Sequence, residues 1–372
     1  MSSAEIVASI PYVDGVLSAA QVRATGASIA SMQEPSGAIP WTIGEHTDIW
    51  NHVEAAMALL VSGERAAAER ALLWVPTMQR ADGSWPMKIV HGPQGAEVED
   101  DRGETNMSAY LAVGAWHHWL VTGDRALVDR LWPAVRAGLE WVVSLQADWG
   151  GVAWTPVDEE FLLTGNSSIH HSLMAGLALA DLMGESVPGW AQAATHLRHA
   201  ISTHRDRFAD KSTYSMDWYY PVLGGAVRGE GAWEGLQARW DDFVLPGLGV
   251  RCVDTNPWMT GAETCEFVMA LDALGRTDLA HTLLADMQIL RHESGGYWTG
   301  LVLDPKKSGP RPGQVYWPVE HTTYTAAAVI LAVDALGSRF GGATPGSGIM
   351  RGTGLDLGAS QTPSIIGCGA CG

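Results

Sequence analysis

The chain has 372 residues, and its 23 Lys and Arg against 41 Asp and Glu leave a formal net charge of −18. That balance argues against nucleic acid or an anionic membrane surface as the main partner. Hydrophobic residues make up 47% and charged residues 17%, enough apolar material for one large core or two ordinary ones, which excludes disorder over most of the chain.

The chain opens with MSSAEIVASIPYVDG, which has neither a basic segment nor a continuous apolar one. A secretory signal is therefore not expected, and the expectation is a cytoplasmic protein. A first helix is predicted near 15–32. Apolar segments then recur at about 49–62, 106–122, 170–183, 262–274 and 321–336, closed by Gly63, Gly123, Gly184, Gly275 and Gly337. They are nearly free of Lys and Arg, so each should be buried on most sides. Between them run mixed segments at about 64–80, 124–147, 188–208, 230–245 and 277–292, with charges on one face, which read as outer helices. A short apolar helix near 219–227 completes twelve. No run reads as a set of β-strands joined by two-residue turns, and the longest apolar stretches, such as Ala326 to Val333, fall far short of the roughly 18 residues that span a bilayer. Four cysteines in this length make no disulfide scaffold and fit a reducing compartment.

Alternating mixed and apolar helices at a period of about 50–60 residues predict an all-α fold, an (α/α)6 barrel in which six inner helices are buried by six outer ones. The alternative is an open solenoid of helix pairs, whose inner face would carry more exposed polar residues. One catalytic domain is expected over 1–340. Residues 341–372, with ten glycines and no helical period, read as a disordered tail. Its Cys368 and Cys371 have metal or redox spacing but no second such pair.

A second repeat accompanies the first. Met32-Gln33 with Gly37, Met78-Gln79 with Gly83 and Trp85, Leu145-Gln146 with Trp149-Gly150, and Met287-Gln288 with Gly296 and Trp298 share an apolar residue, Gln, a turn, Gly and Trp. This resembles the QW-type repeat of terpene cyclases and protein prenyltransferase β subunits, whose toroids show the same alternation. Sugar-processing enzymes use that toroid too, so the motif speaks of architecture and not of chemistry.

In such a barrel the loops from outer to inner helix open at one end. Here they are 33–48, 81–105, 148–169, 209–218, 246–261 and 293–320, and they hold eight of the 17 tryptophans and many acids. An acidic funnel lined with tryptophan is expected. Several inner helices open alike, with Glu45-His46-Thr47-Asp48, Glu104-Thr105, Glu263-Thr264 and Glu320-His321-Thr322. An acid there can simply cap its helix and complement the dipole. Asp48 and Glu263, however, lie only 15 and 12 residues before their closing glycines, against 18, 19 and 17 for Glu45, Glu104 and Glu320. That places both deeper than a cap, where a carboxyl must face a cavity or a partner.

Two carboxyls on a tryptophan-lined pocket suit glycoside hydrolysis, one as general acid and one as base or nucleophile. Asp48 and Glu263 are the expected pair, with burial favouring Glu263 as the acid. Asp100, Asp101 and Glu104 stand in reserve. Asp100-Asp101-Arg102-Gly103-Glu104 also has the DDxxE form that binds diphosphate in terpene enzymes, and Cys252-Val253-Asp254 with His321 resembles a prenyltransferase zinc set with its order changed. The pairs His117-His118 and His170-His171 diverge by about 100° on a helix and chelate poorly. His117 and His118 read as core, while His171 or His170 is a candidate for substrate contact.

Gly44-Glu45-His46-Thr47-Asp48-Ile49-Trp50 early and Asn256-Pro257-Trp258-Met259-Thr260-Gly261-Ala262-Glu263 late resemble the actinobacterial toroid proteins often labelled prenyltransferase, among them the intracellular methylmannose polysaccharide hydrolases. The resemblance covers about residues 5–338. It implies endo-hydrolysis of α-1,4-mannosidic bonds in a partly O-methylated polysaccharide, by inversion as is common on this toroid, with no cofactor and no metal. Trp41, Trp50, Trp85, Trp258, Trp298 and Trp317 would line subsites, helped by His46, Asp101, Glu104, His171, Glu320 and His321. The expected partner is an oligo- or polysaccharide, with no nucleic acid and no membrane, and the protein a monomer or weak homo-oligomer. Two alternatives remain open. One is a terpene cyclase or prenyltransferase holding a metal-bound diphosphate, with tryptophans facing carbocations; the other is a non-catalytic binding toroid.

Overall fold

A computed structural model of the chain describes residues 9–308 and 310–352. Six apolar helices form a closed inner ring: α2 (Ile49–Val61), α5 (Leu111–Thr122), α7 (Leu163–Met183), α9 (Ser215–Leu223), α12 (Gly261–Ala273) and α14 (Thr323–Phe340). Each touches the next, and α14 returns to α2. Outside them lie α1 (Ala19–Ala30), α3 (Arg65–Trp74), α6 (Arg125–Ser144), α8 (Pro188–Thr203), α10 (Glu230–Gln237) and α13 (Thr277–Asp286). One-turn helices α4 (Thr105–Ala109) and α11 (Trp240–Phe243) complete the set. The (α/α)6 expectation holds: inner helices that are apolar on most sides and nearly free of Lys and Arg are buried inside such a ring.

The Gln repeat is the joint between successive pairs. Gln33 Nε2 donates to Gly37 O and to Ala67 O, Gln79 Nε2 to Gly83 O and Ala134 O, and Gln146 Nε2 to Gly150 O and Ala193 O, all at 2.8–3.0 Å. Each amide thus ties its own turn to the next outer helix. The glycine is required there: Gly83 has φ 98°, and a Cβ on it would stand 2.4 Å from Ala137 O. Gly295 meets Ala24 O of α1 in the same way, so the last joint closes the circle.

The two ends of the barrel differ. At one, α2 and α3, α5 and α6, and α12 and α13 join through two or three residues. At the other, the long loops fold into strands, which corrects the expectation of none. Strands β2 (Pro86–Gly92) and β3 (Gly95–Gly103) pair antiparallel across the two-residue loop Pro93-Gln94. Five short strands, β4 (Val244–Leu245), β5 (Gly249–Arg251), β6 (Trp258–Thr260), β7 (Gly300–Ser308) and β8 (Pro312–Tyr316), make one sheet in that order. β3 is exposed along almost its whole length, so it lacks the alternation of burial that marks a strand in sequence.

The tail expected from 341 is corrected over its first part. β9 (Gly341–Gly342) pairs with β1 (Tyr12–Val13), Thr344 binds Asp334 through its N–H and its hydroxyl at 2.6 Å each, and Ile349 and Met350 are buried. Glycine here serves close packing: a Cβ on Gly341 would stand 2.2 Å from Tyr12 O. Residues 353–372, with Cys368 and Cys371, lie outside the described residues. Among the described residues, no helix is long and apolar enough to cross a membrane.

Candidate active site

The strand-bearing end positions the candidates. Thr47 pairs with Ile89 of β2, which keeps the chain extended up to Asp48, and α2 starts at the next residue. Asp48 is therefore the N-cap of α2 and not deeper, as its spacing suggested. Its Oδ1 accepts from Asn51 N at 2.9 Å and its Oδ2 from Asn51 Nδ2 at 2.6 Å, and His46 Nε2 lies 4.0 Å away. Burial raises its pKa against these donors. Glu104 caps α4 through Met107 N at 2.6 Å. Burial, with the charge of Asp48 adding to it, pushes Glu104 up to about 7.

Deeper in the barrel lie two carboxyls that the spacing argument passed over. Glu54 on α2 accepts from Tyr110 Oη at 2.8 Å and Trp50 Nε1 at 3.0 Å, and burial raises it to about 7. Glu266 on α12 accepts from Tyr324 Oη of α14 at 2.7 Å and from Tyr219 Oη of α9. Burial and then Glu54 hold Glu266 well above the usual carboxylate range. Trp50 also stands edge-on to Tyr220 of the facing helix α9, ring centres 5.6 Å apart. These aromatic rings and two acids form a floor across the barrel axis.

Glu263 sits in the first turn of α12, half-buried. Its charge is felt by Tyr219, Tyr324, Cys252 and Glu266. Asp48 and Glu263 thus stand over the floor from two different inner helices. Because Asp48 is the more buried, the burial argument that favoured Glu263 as the acid is reversed. Trp41 joins the same wall: its Nε1 donates to Glu320 Oε1 at 3.2 Å, its ring lies 5.6 Å from Tyr324, and it stacks on His46 at 6.4 Å.

The other expected site residues are elsewhere. Trp85 is 1% exposed with its Nε1 on Val75 O; it is core, because the repeat puts it under the joint, and is no subsite. Asp101 is exposed on β3 and paired to Arg80 at 2.7 Å. Its neighbour Asp100 pairs with Arg102, so the two aspartates of the DDxxE run lie on a solvated hairpin edge, apart from the buried Glu104. His171 is buried in α7 with a pKa lowered to about 3 by burial and then by His170 and Arg228. Trp298 and His321 form an aromatic stack with Tyr316 and His292. Trp258 and Trp317 lie on the five-stranded sheet. Asp254 is held by Arg239 while Cys252 turns to Glu263, so the zinc-like set does not assemble.

Glu54 and Glu266 carried a signal in the sequence. Each is an acid within an apolar inner segment free of Lys and Arg, nine residues before its closing glycine. Charge inside a buried helix demands partners, and the tyrosines of the neighbouring helices supply them.

No family model matches the chain. It is 51% identical over 353 residues to an MMP endo-(1,4)-3-O-methyl-alpha-D-mannosidase of Mycolicibacterium hassiacum, covering 94% of each chain. Among solved structures it resembles a GH63 mannosylglycerate hydrolase from Thermus thermophilus (TM-score 0.64, 15% identity, 83% of this chain and 99% of that one). It also resembles a rhamnosidase from Klebsiella oxytoca (TM-score 0.57, 13% identity, 86% and 65%). These two likenesses concern the fold. The identity over almost its full length places the chain in the family of the Mycolicibacterium mannosidase, and it is a glycoside hydrolase built on an (α/α) toroid.

Proposed function

We propose that the enzyme cleaves α-1,4-mannosidic bonds within a partly O-methylated mannose polysaccharide, with Asp48 as general acid and Glu263 as general base. The observation that carries the assignment of residues is the pair of carboxyls on two inner helices above an acidic floor, with neither carboxyl paired to a lysine or arginine among the described residues. The substrate rests on the relative's name. Burial raises the pKa of Asp48, the direction that suits a general acid. Asn51, bonded to both oxygens, steadies the carboxylate left once the proton passes to the leaving sugar oxygen. Glu263, half-open, is suited to draw a proton from water attacking the opposite face of the ring, which gives inversion in a single displacement.

Trp41 and Trp50 offer aromatic faces to sugar rings beside these groups, while His46, Glu104 and Glu320 supply polar contacts. Methylation makes a sugar more apolar and strengthens such stacking. The polymer and the enzyme are proposed to be cytoplasmic, and the enzyme to be a monomer or weak homo-oligomer. The test is mass spectrometry of the products from purified enzyme and methylmannose polysaccharide, with NMR of the first-formed anomer. Shorter oligomannosides of inverted configuration are expected. An intact polymer would refute the substrate, and a retained anomer the single displacement.

A further inference from the structure

The register of the five-stranded sheet sorts its side chains. Trp258, Val302 and Val315 form one cross-strand row, and Met259, Leu301 and Tyr316 the next, so the rows point to opposite faces. Met259 and Leu301 are fully buried, and Tyr316 stacks on Trp298 and donates to Ile289 O. That face packs inward; the face with Trp258 is open. Trp317 extends it, 52% exposed, edge-on to Trp258 with ring centres 5.0 Å apart. Trp258 Nε1 donates to Trp317 O at 2.8 Å, which fixes the indole. The hollow between the two rings, Val302 and Val315 has a volume of about 420 Å³ and is edged by Asn256 and Asp304.

We infer that this hollow is a second sugar site, which takes an O-methylated mannosyl residue of the same polysaccharide away from the bond being cleaved. The inference rests on the function proposed above. Its volume is that of a small-molecule site, and its walls are apolar with polar groups only at the rim. A free hydroxyl turned toward Val302 and Val315 gives up water without a partner, whereas a methyl ether buries its carbon there. The strands that hold the hollow lead directly into the acid-bearing elements: β6 runs straight into α12, with Trp258 five residues before Glu263, and Trp317 precedes Glu320, the partner of Trp41, by three. A polymer is long enough to engage the acids with one sugar and this hollow with another.

The test uses the full chain and matched α-1,4-mannose oligomers with and without 3-O-methyl groups. Binding is read by calorimetry on the Asp48→Asn protein, and kcat/KM on the otherwise wild-type enzyme. A preference for the methylated oligomer of roughly tenfold or more is expected, and Trp317→Ala or Val315→Thr should cut it to near unity, chiefly through KM. If both variants fold and keep the full preference, discrimination resides in the cleft and the second site is refuted, while polymer cleavage by wild type leaves the proposed function standing. If wild type cleaves neither oligomer, the function is refuted, and equal binding of the two oligomers to the Asp48→Asn protein refutes the site independently. A dimer that dissociates on Trp317→Ala would assign this face to self-association and overturn the inference.

Discussion

The upper and lower halves of the barrel axis use the same residue types on the same helices for different ends. On α12, Glu263 and Glu266 look toward the mouth, and Asp272 lies toward the opposite end. Asp272 is fully buried at its side chain, bound by Arg351 at 2.7 Å with Arg339 at 3.9 Å. On α14, Asp334 is bound by the N–H and hydroxyl of Thr344. The chain from 341 to 352 thus carries its own partners to the lower acids. The upper acids receive neutral tyrosine, tryptophan, asparagine and backbone donors and each other's charge, and no lysine or arginine pairs with Asp48, Glu54, Glu263 or Glu266 among the described residues. Burial raises Asp334 to about 7, as it does Glu54 and Glu104, so a shifted pKa does not separate the two regions. What separates them is that each lower acid meets its own partner on the segment 341–352, whereas the acids of the open end are gathered within reach of one another's charge.

The largest effect that sharpens this contrast falls on turnover. Glu263→Gln keeps the shape of the side chain and removes the base, so kcat should fall by about 10²- to 10⁴-fold with little change in melting temperature, checked by reducing-end release. Next comes the lower half. Asp272→Asn leaves Arg351 without its counter-charge and should cost about 3 kcal/mol of stability, the low end for a broken buried pair since Arg351 stays partly solvated. Denaturant unfolding would measure this, and kcat should hold.

Two smaller effects follow. Trp85→Phe gives up the bond to Val75 O and some volume in the core, a loss of about 1–2 kcal/mol with KM unchanged, whereas Trp41→Phe should raise KM severalfold and leave stability nearly intact. The last is a slope. Glu54, Glu104 and Asp334 bind a proton more tightly folded than unfolded, so their contribution is present at acid pH and is lost as pH rises through about 7. The buried His52, His117, His170 and His171, lowered to about 4, 3, 4 and 3, act in the opposite sense until the unfolded imidazoles, with an ordinary value of 6.5, have lost their protons. That opposing effect fades over about one unit above 6.5 and leaves the acids. Melting temperature should therefore decline between about pH 7 and 8, and Asp334→Asn should flatten the decline. A rising curve would contradict the burial of these groups.

Much of the barrel was legible because its signals are periodic: apolar helices closed by glycine, and a glutamine whose two carbonyl partners recur at each joint. The spacing that singled out Asp48 and Glu263, the proposed pair, was a partly mistaken ground. Spacing from a closing glycine measures where a helix ends, and the pairing of Thr47 with Ile89, which decides where α2 begins, is a contact across forty-two residues. Trp85 misled because its place in the repeat serves the joint. Glu266 was passed over because its justification lies on two other helices, as Tyr219 and Tyr324. The segment 341–352 looked like a tail because glycine that permits close packing and glycine that permits disorder have the same composition.

Asp48 bears the most direct test, since it is both a helix cap and the proposed acid. Asparagine caps a helix as well as aspartate does, so Asp48→Asn preserves the first and abolishes the second. Its turnover of methylmannose polysaccharide should fall at least about a hundredfold while its melting temperature stays at the wild-type value. Near wild-type turnover in that variant would reduce Asp48 to a cap and contradict the placement of the active centre.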